Sequence, residues 1–203
     1  MRDVRDPVIE PFWEGDRLIV EVADGRVAAT GVDGEAIDLD ATIADALLAR
    51  VRAGQAVLDV HLTPRAAGTT EGAVVGEVSV PSGTELAGQM FVGGAASRRV
   101  ELRRALEPVE LGSDVVVVAV DLLELDHESL LDIPLLERKR LLESVLDEGP
   151  LVRVGAYVRP PVDAWLGTWR ALGFRQVVYK AANGRYLPGE RNDGWAIAQI
   201  PQR

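Results

Sequence analysis

The sequence predicts an α+β fold with largely antiparallel sheets, and three observations carry that prediction. Segments with strand alternation or β-branched runs outnumber those with helical spacing. Three amphipathic helices lie among the strands without the regular alternation that a parallel βαβ sheet requires. Asp-Gly turn signals join neighbouring strands, as hairpins need. The 203 residues, 47% hydrophobic and 27% charged, suffice for one domain with a substantial core. No internal repeat, low-complexity tract or long linker divides them.

The elements follow in order. RLIVEV (17–22) and RVAATGV (26–32) flank Ala23-Asp24-Gly25 and read as a hairpin, and Val32-Asp33-Gly34 forms a second turn. From Asp40, DATIADALLARVRAG has an Asp N-cap, helical apolar spacing and a closing Gly54. QAVLDVHL (55–62) alternates like a strand with one wet face, and Pro64 ends it. GAVVGEVSV (72–80) reads as a strand. SRRVELRRAL (97–106) reads as a short helix whose Arg98, Arg99, Arg103 and Arg104 form a solvated face.

DVVVVAVDLLEL (114–125) is a continuous β-branched run suited to a strand buried on both faces. The next helix has Pro134 in its first turn and Gly149 at its end. Leu135, Leu136, Leu141, Leu142 and Val145 are its expected apolar stripe. VDAWLGTWRALGF (162–174) is the last helix, with Trp165, Trp169 and Leu172 packing on one side. RQVVYKA and GWAIAQI are the closing strands.

Composition excludes several chemistries. The chain has no cysteine, so there is no thiol nucleophile, disulfide or thiolate metal site. Its two histidines cannot make a multi-histidine metal centre. No apolar run reaches membrane-span length. The start, MRDVRDP, lacks a secretory h-region, and a cytoplasmic location is expected. A net charge of −10 repels phosphate backbones and favours a protein partner over nucleic acid. Of 22 basic residues, Lys139 and Lys180 alone are lysines. A neutral-amine nucleophile therefore has two candidates, because arginine stays protonated. No G-x-S-x-G or phosphate-loop pattern is present.

Two long stretches then resemble a known family. DLLELDHESLLDIPLLERKRLLESVL (121–146) is similar to "FDLLYLDGxxLLDLPLxERRxLLExLL", and VVYKAANGRYLPGERNDGWAIAQI (177–200) to "EGxVxKxxxSxYxPGxRxxxWxKxK". Both belong to the adenylation (nucleotidyltransferase) domain of ATP-dependent DNA ligases. The resemblance covers nearly the whole chain and implies the two-sheet fold of that domain. It sets IEPFWEGDR on the family's first motif, "ExKxDGxR".

In that family the motif lysine attacks the α-phosphate of ATP, giving lysyl-AMP and pyrophosphate. Here Phe12 holds that position, and a phenyl ring has no lone pair to donate. Glu14 replaces the motif's Asp, while Gly15 and Arg17 are kept. The other positions of the implied cleft are altered too. The arginine of "SRNG" corresponds to Val32, and the glutamate of "LDGEL" to His61, with Asp59 kept. The aromatic that stacks on adenine corresponds to Val120, and the metal-binding glutamate of "EGxVxK" to Arg175. Lys180 is kept. The two lysines of the last motif correspond to Ile197 and Gln199.

Losing one charge from a triphosphate site costs on the order of 10²–10³ in rate, so losing this set predicts no adenylation. The sequence ends directly after the last motif, and the expectation is a single ligase-like domain over 1–203 without the OB-fold domain of ligases.

The expected function is a catalytically inactive, DNA-ligase-like module that binds or scaffolds a protein partner and needs no cofactor. The alternatives are a divergent ATP- and Mg²⁺-dependent ligase or nucleotidyltransferase in DNA repair, or a non-covalent nucleotide sensor. Lys180, Arg17, Arg185 and Arg191 are candidate phosphate ligands. Against that, Lys180 reads as a strand lysine with its head in solvent, and the arginines as partners for the excess acids. Glu14 and Asp59 are the carboxylates that could meet a divalent ion, whereas His61 reads as a partly buried strand histidine.

Overall fold

The computed structural model describes residues 4–64, 115–189 and 194–201. Two sheets carry the fold. The smaller has the order β1 (Pro7–Pro11), β9 (Gln176–Ala181), β10 (Trp195–Gln199). The larger runs β4 (Ala36–Ile37), β3 (Arg26–Gly31), β2 (Asp16–Ala23), β5 (Gln55–Pro64), β6 (Val115–Leu125), β7 (Glu128–Ser129). β8 (Val152–Val154) pairs with β6 in parallel, while the other strand pairs are antiparallel. The expected α+β, largely antiparallel architecture is the one observed. The expected strand 72–80, the arginine-rich helix 97–106 and Arg191 lie outside the described residues.

Local chemistry accounts for the elements. Asp24 and Gly25 both take positive φ, 51° and 70°, the conformation that a two-residue hairpin demands. Helix α1 (Ala41–Arg50) starts where the Asp40 carboxylate accepts the Thr42 N–H at 2.9 Å, satisfying one of the helix's free donors. β6 is buried from Val116 to Leu123, as its unbroken apolar run requires. Among the described residues, no helix is long and apolar enough to cross a membrane.

Helix α2 (Leu135–Val145) departs from expectation. Its buried residues are Leu135, Arg138, Lys139 and Leu142, while Leu136, Leu141 and Val145 are half-buried. The helix turns two cations inward because carboxylates await them there. Arg138 makes a two-pronged contact with Asp121, at 2.9 and 2.7 Å. Pro134 is the N-cap, and the helix ends at Val145, short of Gly149.

The main core joins α1 and α2 to the large sheet through Ile43, Leu47, Leu58, Val60, Val118 and Leu142. A second core places helix α3 (Asp163–Ala171) over the small sheet, with Ile9, Val158, Trp169, Leu172 and Val177 at its centre. Trp165 and Trp169 pack together there as expected, ring centroids 6.3 Å apart.

Candidate functional site: a cleft between the sheets

A cleft of about 750 Å³ opens between the two sheets. The small sheet contributes Glu10, Pro11, Val178, Lys180, Trp195, Ala196 and Ile197, and the large sheet Arg17, Asp59, His61 and Val120. Phe12, Trp13 and Gly15, between β1 and β2, close one side. Gly15 has φ 115°, and a Cβ there would lie 2.0 Å from the Leu62 carbonyl oxygen. Only glycine lets the connection approach β5 so closely.

Phe12 and Trp13 both line the cleft because β1 stops at Pro11, so strand alternation no longer separates them. The Phe12 N–H donates to the Gln176 carbonyl at 2.9 Å. Trp13 meets Phe174 edge to face at 4.9 Å, a favoured ring geometry. Phe12, expected at the position of the ligase nucleophile, thus sits in an anchored apolar corner.

Both lysines of the chain converge on one carboxylate. Glu10 pairs with Val178 across β1 and β9, which sets Lys180 diagonally beside it on the same face. Lys180 Nζ donates to Glu10 Oε2 at 2.9 Å, and Lys139 Nζ, from α2, lies 2.8 Å from Oε1. Lys139 also donates to the Val120 carbonyl at 2.5 Å. The Glu10, Lys139 and Lys180 side chains are at most 5% exposed. Burial raises the Glu10 pKa, but Lys139 and Lys180 together outweigh it and hold the carboxyl below its ordinary value. Burial pushes Lys139 below the usual lysine range, Glu10 opposing it. Lys180 Nζ also lies 4.5 Å from the Trp195 ring centroid, within cation–π range. The expected solvent-exposed head of Lys180 is corrected: the small sheet buries it.

A second closed group lies across the cleft. Arg17 grips both oxygens of Asp59, at 2.9 and 2.6 Å, and donates to the Tyr186 hydroxyl at 3.1 Å. Tyr186 in turn donates to Asp59 at 3.0 Å. The hydrogen bonds to Asp59 raise the Arg17 pKa, and burial followed by Asp59 raises that of Tyr186. Burial lowers the His61 pKa, with Asp59 opposing and Lys180 and Arg17 assisting, so His61 is neutral near pH 7.

The expected cleft residues separate into two groups. Phe12, Arg17, His61, Val120, Lys180 and Ile197 come together. Val32 does not: it is 70% exposed in the turn after β3, away from the lining. Glu14, Arg175 and Gln199 are exposed and also outside the lining. Arg185 pairs with Asp132 on the surface, at 3.1 Å. Sequence reasoning missed Glu10, and it named Lys139 only as one of two candidate amines, not as a buried partner of that carboxylate. The signal for Lys139 was present, since it shares the i, i+4, i+7 stripe of Leu135 and Leu142.

These residues do not fit a nucleotide with its metal. Lysines hold Glu10, while an arginine and a tyrosine hold Asp59, which leaves neither carboxylate free for Mg²⁺. Among the described residues, no group of three or more His, Asp or Glu side chains is arranged to hold a metal.

The fold is that of the ligase domains of DNA ligases. The chain superposes on the ligase domain of M. tuberculosis LigD with a TM-score of 0.60 at 19% identity, covering 96% of this chain and 54% of that one. A mycobacterial DNA ligase D complexed with ATP and MES gives a TM-score of 0.60 at 22% identity, with 94% and 54% covered. A DNA ligase of the Lig E group, described as binding DNA with a minimal scaffold, gives 0.53 at 13%, with 98% and 63% covered. The chain thus spans about half the length of the LigD structures. No protein-family model matches it, and no curated protein does.

Proposed function

We propose that this chain is a catalytically inactive, DNA-ligase-like nucleotidyltransferase domain that works as a binding or scaffolding module. One observation carries the reading. The chain's two lysines are both buried on Glu10, and the resemblance puts Phe12 at the nucleophile's position. Adenylation requires an amine that can shed its proton and approach a phosphate. Lys139 and Lys180 instead spend their donors on Glu10, Val120 and the Trp195 ring. The net charge of −10 favours a protein partner over DNA, in the cytoplasm.

The deciding experiment is calorimetry with ATP and Mg²⁺, combined with intact-mass spectrometry of the same sample. The expected result is neither heat nor added AMP. An AMP adduct would instead establish the second reading, a divergent ligase or nucleotidyltransferase, which the location of Lys180 in the cleft wall favours. Heat without an adduct would make the domain a nucleotide sensor.

A further inference from the structure

The four charged side chains lining the cleft are already engaged, Lys180 on Glu10, which Lys139 also holds from behind, and Arg17 on Asp59. The two cations are engaged a second time by the Trp195 ring, at 4.5 and 5.5 Å from its centroid. A phosphorylated ligand entering this space would lose its hydration and, among the described residues, meet lining cations that are already bound to carboxylates. What the cleft presents instead is apolar: Phe12, Trp13, Val120, Val178 and Ile197. Such walls reward burial of a flat ring. A volume of about 750 Å³ falls within the range of concave small-molecule sites.

We propose that the cleft binds an uncharged, predominantly apolar small molecule bearing an aromatic ring, and discriminates against the phosphorylated form of the same ring. This rests on the reading that the cleft has lost its nucleotide chemistry, and it specifies what took the nucleotide's place. Ile197 forms the accessible lip: it lines the cleft and is 55% exposed. A charge introduced there should obstruct an apolar ligand without disturbing the core.

The test uses the full chain and a matched pair of probes, 1-naphthol and 1-naphthyl phosphate, titrated by calorimetry. 1-Naphthol is expected to bind at least about tenfold tighter than its phosphate. Ile197→Asp should weaken it by about tenfold or more. Leu187→Asp should leave it unchanged, because Leu187 is also apolar and exposed but lies outside the lining. Equal or tighter binding of the phosphate overturns the proposal, as does the absence of saturable 1-naphthol binding. Equal weakening by both variants overturns it too, since the binding would then be non-specific. A separate intact-mass measurement with ATP keeps the two readings apart. Failure of 1-naphthol without an AMP adduct sinks the ligand class alone, whereas an adduct sinks the inactive-domain reading.

Discussion

Lys139 and Lys180 hold opposite oxygens of one carboxylate, Glu10, at 2.8 and 2.9 Å. One lysine comes from a helix packed on the large sheet, the other from the small sheet. The contact therefore links the two layers through charge. A buried ion group of this kind is costly to break from one side.

Removing the shared carboxylate should be far worse than removing one lysine. Glu10→Gln leaves two buried ammonium groups facing a neutral amide and should cost about 3–5 kcal/mol. Lys139→Met keeps the Glu10–Lys180 pair but uncovers Glu10 Oε1 and the Val120 carbonyl, for about 1–3 kcal/mol. Urea denaturation of the two variants checks the order, and an equal loss would contradict the shared-carboxylate arrangement.

Lysine chemistry reads the same burial without mutation. In the native protein, an amine-acylating reagent should leave Lys139 and Lys180 unmodified while reacting at the α-amino group. The side-chain amines should react on the order of a hundredfold faster once urea opens the fold. Peptide mapping of the acylated sites reports this directly. Rapid native labelling of Lys180 would revive it as a nucleophile.

Restoring the motif lysine alone should not restore catalysis. In Phe12→Lys an amine stands where the resemblance expects the motif lysine, but Arg17 and Asp59 remain closed on each other and Val120 offers no ring to stack on adenine. Intact mass after incubation with ATP and Mg²⁺ should show no AMP. An adduct on residue 12 would mean that the rest of the cleft is competent.

Stability should fall with acidification in two windows. The folded pKa of His61 is depressed, so the unfolded chain takes up that proton first, near its ordinary value of about 6.5. Stability is therefore lost as the pH falls from 7 towards 5. Glu10, also depressed when folded, contributes stability above the ordinary value of about 4.5 that disappears at lower pH. His61→Gln should flatten the upper window and leave the lower one. Midpoints of urea denaturation between pH 2.5 and 8 give the comparison.

Closing the second ion group should depend on its tyrosine. Tyr186→Phe removes one hydrogen bond to the buried Asp59 and should cost about 1.5–3 kcal/mol. Thermal denaturation against Arg185→Ala, a surface pair neighbour worth at most about 1 kcal/mol, separates the two.

Much of the fold was legible because its signals are local. The Asp24-Gly25 turn, the Asp40 cap and the apolar run of β6 each carry their own instruction. β1 was not legible: its five residues begin and end in proline, which speaks against a strand unless the strand is an edge. β8 has only three residues, too few for alternation to register. Of the site, Phe12 and Lys180 could be placed from their spacing to firm anchors. Val32 could not, because its exposure is set by the turn geometry of the hairpin. The inward Arg138 and Lys139 were hidden by the assumption that helices bury leucine and expose charge, which fails where carboxylates lie opposite.

The partnership of β1 with β9 bears on how the chain is made. Val8 lies opposite Lys180 and Pro11 opposite Val177, so β1 leaves the ribosome long before its partner strand. The β2–β3 hairpin, by contrast, can pair within moments of emerging. Synthesis then builds the large sheet around a tethered, unpaired β1, and the cleft comes into being last. Contacts this distant in sequence are slow to form, which makes the unpaired edge of β1 the segment that most needs protection in the newborn chain.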